Sequence, residues 1–170
     1  MSNCFYFISD YFYDEYPDNG LMKNKDGTDG ELHGRPCFFS IKDTKHPELF
    51  WLIPISSQLK KYRNIHRKKF EKYGYCNTIY FCKVLGYEKA FLIQNMFPTT
   101  EEYIESVYTD TNNVEVKIDE RDEKKIIGLS NDVLKAHEKG KGVFFTDVDS
   151  IKEKLLMKNK KTEKKRNRKA

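Results

Sequence analysis

The constraint that most narrows the fold of this chain is a change of hydrophobic period close to residue 100. Before it, short β-prone apolar runs recur: Cys4 to Ile8, Pro36 to Ile41 (PCFFSI), Leu49 to Ile55 (LFWLIPI), Thr78 to Leu85 (TIYFCKVL) and Lys89 to Met96 (KAFLIQNM). Runs of aromatic and β-branched residues bounded by turn residues predict strands. Gly86-Tyr87-Glu88 between the last two predicts a hairpin with its turn at Gly86, and Pro54 predicts an edge strand or a strand end. Ser9-Asp10 can cap a short helix over Tyr11 to Tyr16, Pro17 to Gly34 reads as a long loop, and His46-Pro47 marks a turn. Ser56 to Tyr73, polar and basic, reads as a loop or a frayed helix, and Glu101 to Ile104 as an edge strand. Beyond residue 100 the spacing becomes helical. Asp119 to Glu138 places Ile126, Ile127, Leu129, Val133 and Leu134 three and four residues apart, and a second helix is expected from about Asp149 to Lys158. The expected class is α+β: a compact, strongly bent antiparallel sheet or small β-barrel with C-terminal helices packed on it.

At 170 residues the chain can bury a core without covalent staples, and it reads as one domain over 1–158 followed by a basic tail over 159–170. Hydrophobic residues make up 38% of it, and no apolar run nears the roughly 18 residues that span a bilayer. No basic segment followed by an apolar one opens the chain, so the expected location is the cytoplasm. Cys4, Cys37, Cys76 and Cys82 form no C-x-x-C pair, which weighs against a zinc ribbon or redox motif and predicts reduced thiols.

The net charge of +5 is unevenly placed. Lys152 to Ala170 carries ten Lys or Arg and two Glu, a net of +8, so the other 151 residues sum to −3. The tail from Asn159 has no apolar anchor and is expected to be disordered in isolation. A second basic cluster, Lys60 to Lys72, holds seven Lys or Arg and His66 against one acid, Glu71. Cations beside abundant Tyr suit single-stranded nucleic acid, the cations meeting phosphates and the rings meeting bases.

The sequence has no G-x-G-x-x-G, P-loop, H-E-x-x-H or nucleophile elbow, so no cofactor is expected. His33, His46, His66 and His137 lack ligand spacing, so no metal is expected either. Two segments stand out instead: Gly34-Arg35-Pro36-Cys37-Phe38-Phe39, and Leu52-Ile53-Pro54-Ile55-Ser56-Ser57-Gln58. An Arg-Pro ahead of one apolar strand, then a second strand ending Pro-Ile-Ser-Ser, resembles toxin endoribonucleases of the MazF/PemK superfamily. Phe5 to Ser9, the pair Lys60-Lys61 after Ser56-Ser57, and Phe91 to Pro98 extend the likeness. Over about residues 4–156 the chain resembles the ToxN/AbiQ/CptN toxins of type III toxin–antitoxin systems, and among these the CptN branch. It departs from the ToxN pattern in two places. Arg35 replaces a Lys, and the basic pair follows Ser57 after Gln58-Leu59, an extra residue or so, which leaves open whether Lys60 or Lys61 points into the site.

The resemblance implies a MazF/PemK-like, SH3-like sheet and metal-independent cleavage of single-stranded RNA, in which the 2′-OH attacks the adjacent phosphate to leave 2′,3′-cyclic phosphate and 5′-OH ends. It also implies a small structured RNA antitoxin cut from a repeated precursor, a closed cyclic toxin–RNA assembly, and a role in abortive infection. Arg35 suits charge stabilisation on the nonbridging oxygens, and Ser56 and Ser57 suit hydrogen bonds to the phosphate. Lys60 or Lys61 could protonate the leaving 5′ oxygen or neutralise the dianion, and His66 could act as acid or base. Lys61, Arg63, Arg67, Lys68 and Lys69 are candidate phosphate contacts, and Tyr6, Tyr11 and Tyr62 candidate base platforms. Each also has an ordinary reading. Arg35 can simply start a strand, Ser56-Ser57 can form a turn or cap, the basic cluster can be a solvated helix face, and the tyrosines can be packing. Phe38, Phe50, Trp51, Phe81 and Phe91 read as core, and His46 and His137 as surface. The alternatives in function are a noncatalytic RNA-binding domain and a MazF-like toxin with a protein antitoxin.

Overall fold

A computed structural model describes residues 3–26 and 32–167. The predicted strands are present: β1 (Phe5–Ile8), β4 (Cys37–Lys42), β5 (Phe50–Ser56), β6 (Tyr80–Val84) and β7 (Tyr87–Phe91). Two short elements, β8 (Phe97–Thr99) and β9 (Ile104–Val107), follow the hairpin, each led in by a 3₁₀ turn. The predicted long loop contains a two-residue ladder of β2 (Lys25–Asp26) with β3 (Leu32–His33), and its Leu21 is buried in the core; residues 27–31 of that loop lie outside the described residues.

Seven strands form one open antiparallel sheet in the order β6-β7-β5-β4-β1-β9, with β8 pairing β5. The sheet does not close into a barrel. Pro54, expected at an edge or an end, instead sits inside β5, which is hydrogen-bonded on both sides. On one side β5 pairs β4 throughout; on the other, Phe50–Leu52 pair β8 and Ile55–Ser56 pair β7. Pro54 falls between those two partners, where its carbonyl accepts from the Leu92 N–H at 3.1 Å and its missing N–H removes no ladder bond. The β6–β7 turn has Leu85 at φ 50° and Gly86 at φ 82°, the left-handed pair that matches the twist of a two-residue hairpin.

The apolar runs are nearly continuous because both faces of the sheet are covered. Tyr6, Ile8, Cys37, Phe39, Phe50 and Leu52 face one core with Phe12 of α1 (Asp10–Glu15), with Tyr16 that caps its C-terminus, and with Ile151 and Leu155 of α4 (Val148–Asn167). Phe5, Phe38, Trp51, Ile53 and Phe91 face the other, with Ile126 and Val133 of α3 (Glu120–Glu138). The predicted core residues hold these places except Phe81, which is only half-buried. The cysteines are free thiols, and burial pushes Cys37 and Cys82 up to about 12.

Ser56 to Tyr73 is an ordered helix over most of its length, α2 (Leu59–Tyr73), closed by Gly74 at φ 77° with its N–H on the Phe70 carbonyl. α4 likewise runs through the predicted boundary at residue 158 to Asn167, so the expected disorder from Asn159 is not what the described residues show; residues 168–170 lie outside them. Lys and Glu are good helix formers, and a helix already anchored by apolar residues upstream extends through them. Among the described residues no helix is long and apolar enough to cross a membrane.

Candidate active site

The two motifs that stand out in the sequence meet in one cleft. Register brings them together: Cys37 pairs Pro54, so Arg35 and Pro36 run beside Ile55 and Ser56. The cleft encloses about 330 Å³ and is lined by Gly34 to Pro36, Ile55 to Ser57, Val84, Leu85, Tyr87, Lys89 and Tyr108. Arg35 donates from Nη1 to the Ile55 carbonyl at 3.0 Å and from Nε to the Lys23 carbonyl at 3.3 Å, while its N–H donates to Asn24 Oδ1 at 2.8 Å. These side-chain partners are backbone carbonyls and not carboxylates, so the guanidinium is held in place without a counter-charge from them.

Ser56 and Ser57 differ. Ser56 is buried at the end of β5, and its Oγ accepts from the Gln58 N–H at 3.2 Å, tying the strand to the start of α2. Ser57 is exposed, and its Oγ accepts from Lys89 Nζ at 2.6 Å. Lys89 comes from the hairpin: Ser56 pairs Ala90, which sets Lys89 beside Ser57. An open groove continues from Ser57 over the first turn of α2, along Gln58, Leu59, Lys60, Lys61 and Asn64. Lys60 and Lys61 are exposed there, outside the cleft that holds Arg35.

The other predicted residues are dispersed. His66 packs edge-on against Phe81 at 5.7 Å and lines a separate recess with Tyr75 and Tyr80, so it does not join Arg35 and Ser57. Tyr6 and Tyr62 are 5% exposed and belong to the core, which leaves them no free ring face for a base. Tyr11 is exposed, but on α1, stacked against Tyr103 under Lys158. Arg63 is paired with Glu88 and lies over Phe81, and Arg67 is paired with Glu71 at 2.7 Å. Lys69 turns inward, donating to Thr78 Oγ1 at 2.8 Å and Gln94 Oε1 at 2.7 Å, and burial lowers its pKa. Lys68 is exposed on α2. His137 is not a plain surface residue: it meets Asp149 at 2.9 Å and packs on Phe144.

Sequence reasoning missed Lys89, Tyr87 and Tyr108. Tyr87 is 74% exposed on the cleft rim, and Tyr108 packs edge-on against Phe7 at 5.4 Å. The available signal was the hairpin, because a strand pairing the end of β5 must carry its alternate residues past Ser57. Among the described residues, no group of three or more His, Cys, Asp or Glu could hold a metal ion.

The chain matches no protein-family model and no curated protein sequence. Its structure is similar to that of AbiQ, a lactococcal anti-phage endoribonuclease of the type III toxin–antitoxin system, with a TM-score of 0.67 over 94% of this chain and 99% of that one at 14% identity. It is also similar to a structure from a bacterial antiviral system regulated by a processed non-coding RNA, with a TM-score of 0.62 over 90% of this chain and 97% of that one at 15% identity. The chain shares its fold with both structures.

Proposed function

We propose that a chain with this fold, and with Arg35, Ser57 and Lys89 converging on one cleft, is the endoribonuclease toxin of a type III toxin–antitoxin system. That convergence carries the reading, since it joins two cations and a hydroxyl in one cleft on a fold shared with an endoribonuclease. The substrate supplies its own nucleophile: the 2′-OH attacks the adjacent phosphorus in line, the bond to the 5′ oxygen breaks, and a 2′,3′-cyclic phosphate remains. The protein then has to hold the strand and stabilise charge on the nonbridging oxygens. Arg35 carries that charge without a metal, Ser57 donates to the phosphate, and Ser56 holds the strand-to-helix corner that presents Ser57. Tyr87 and Tyr108 on the cleft wall are better placed to stack flanking bases than Tyr6 or Tyr62.

The inhibitor in this reading is a small structured RNA derived from a repeated precursor, closing with the toxin into a cyclic assembly in the cytoplasm. The groove over Lys60 and Lys61, with Lys68 and the basic end of α4, offers cations for its phosphates. The test is cleavage by purified protein freed of RNA. Unstructured RNA should be cut in EDTA to cyclic phosphate and 5′-OH ends, and a 2′-deoxy residue at the cut position should block the reaction. A strict divalent requirement, or 3′-OH products, overturns the mechanism.

A further inference from the structure

An amine sits in this cleft where the sequence around Ser57 does not put one. Lys60 and Lys61 follow Ser57 closely in the chain, but α2 carries both onto the outer groove. The ammonium that reaches the Ser57 hydroxyl comes from 32 residues away on β7, at 2.6 Å. Two features fix it there. The Ser56–Ala90 and Ile55–Phe91 pairs set the height of Lys89 along β5, and the left-handed Leu85-Gly86 turn holds the register of β7 against β6. Ser57 Oγ accepts from Lys89, so its own hydrogen is free to point into the cleft that Arg35 lines.

Resting on the endoribonuclease reading, the geometry points to Lys89 as the source of the proton that the leaving 5′ oxygen needs, passed through Ser57. As the bond from phosphorus to the 5′ oxygen breaks, that oxygen takes the Ser57 hydroxyl proton and Ser57 takes one from the Lys89 ammonium. The 2′ proton leaves to solvent, and neutral Lys89 regains a proton from water, so charge and protons balance over the cycle. Arg35 stays cationic throughout and serves the nonbridging oxygens. Lys89 acts through Ser57 and is a positioning and proton-supplying residue, whereas Ser57 touches the reacting atoms.

The experiment compares an ordinary RNA oligonucleotide with one whose scissile 5′ oxygen is replaced by sulfur, a leaving group that departs without protonation. Lys89→Met should slow cleavage of the ordinary substrate by about a hundredfold to ten-thousandfold, the range of general acid catalysis, yet cut the sulfur substrate at close to the wild-type rate. Ser57→Ala should show the same selective rescue, while Arg35→Ala should be slow on both. Equal losses for Lys89→Met on the two substrates overturn the proton role and leave Lys89 an electrostatic or structural group. A variant that fails to fold is recognised by loss of the sulfur substrate together with a lowered melting temperature, and Lys89→Gln then replaces it in the same comparison. If the wild-type protein cuts neither substrate, the endoribonuclease reading itself falls, and the role of Lys89 falls with it.

Discussion

Replacing Arg35 removes a guanidinium whose partners are two backbone carbonyls, so the fold loses little and the cleft loses its fixed positive charge. Arg35→Ala is expected to lower cleavage by about a hundredfold to a thousandfold, in line with the removal of one oxyanion donor, with the melting temperature nearly unchanged. Ser56→Ala should behave differently from Ser57→Ala. It deletes the acceptor for the Gln58 N–H at the strand-to-helix corner, costing about 1 kcal/mol of stability, and reduces cleavage only through the displacement of Ser57. Single-turnover rates and thermal melts of the three variants check both expectations. Away from the cleft, Asp43 accepts from Lys152 at 2.6 Å, from Trp51 Nε1 at 3.3 Å and from the N–H groups of Lys45 and His46. Burial pushes its carboxyl up, but the Lys152 ammonium and these donors outweigh burial and hold it below the usual carboxylate value. Its contribution is therefore present above the unfolded pKa and is lost as pH falls through the lower folded value. Asp43→Asn should cost about 2 kcal/mol near neutrality, and the gap to wild type should close progressively below about pH 4. Melts from pH 3 to pH 7 decide this, and a gap independent of pH would show that shape and not charge matters at Asp43.

At the scale of elements, α4 is held at two levels. Ile151 and Leu155 bury its first half, and Lys158 closes the anchored part, donating to Glu15 at 3.0 Å and to the Tyr103 hydroxyl at 2.7 Å while lying over the Tyr103 ring. Burial alone would raise Glu15 and lower Lys158, yet their hydrogen bonds reverse both directions, keeping the pair charged between the acid and alkaline limits. Past Lys158 the helix continues on propensity. Truncation after Asn159 should therefore cost less than about 0.5 kcal/mol, whereas Lys158→Met in the full chain should cost about 2 kcal/mol by removing the ammonium from Glu15 and leaving that carboxylate only the Tyr103 hydroxyl as donor. Urea denaturation of the two variants tests the division, and equal losses would place stabilising contacts beyond Lys158. The helix through Asn167 stands beside an expectation, drawn from composition, that the segment from Asn159 is disordered in isolation. Composition shows that a segment has nothing to bury, but not that a neighbouring anchored helix will extend through it.

Across the whole molecule, the excess positive charge lies in a different part of the chain from the residues that line the cleft. The residues from Lys152 onward carry a net +8, while the cleft depends on Arg35 and Lys89 from the body. Truncation after Asn159 should weaken binding of structured RNA mainly at low salt, flattening the dependence on log salt by about 0.7 to 0.9 for each phosphate contact removed. Cleavage of a short oligonucleotide should change little, because the cleft is intact. Affinities across a salt series settle the point, and parallel slopes for the two proteins would mean that the basic end of α4 does not touch RNA. What the sequence determined by itself was local and periodic: the strands, the hairpin at Gly86, the late helices, and the two motifs around Arg35 and Ser56-Ser57. These were legible because side-chain alternation and turn chemistry act over a few residues. Which residues share the cleft was decided by pairing. β5 takes β4 on one side and, past Pro54, β7 on the other, so Arg35 and Lys89 arrive at Ser57 from distant parts of the chain. The nearby Lys60, Lys61 and His66 are turned away by the helix they ride on. Proximity in sequence is a poor guide there, because a helix rotates successive residues by about 100° while an antiparallel ladder sets residues tens of positions apart side by side.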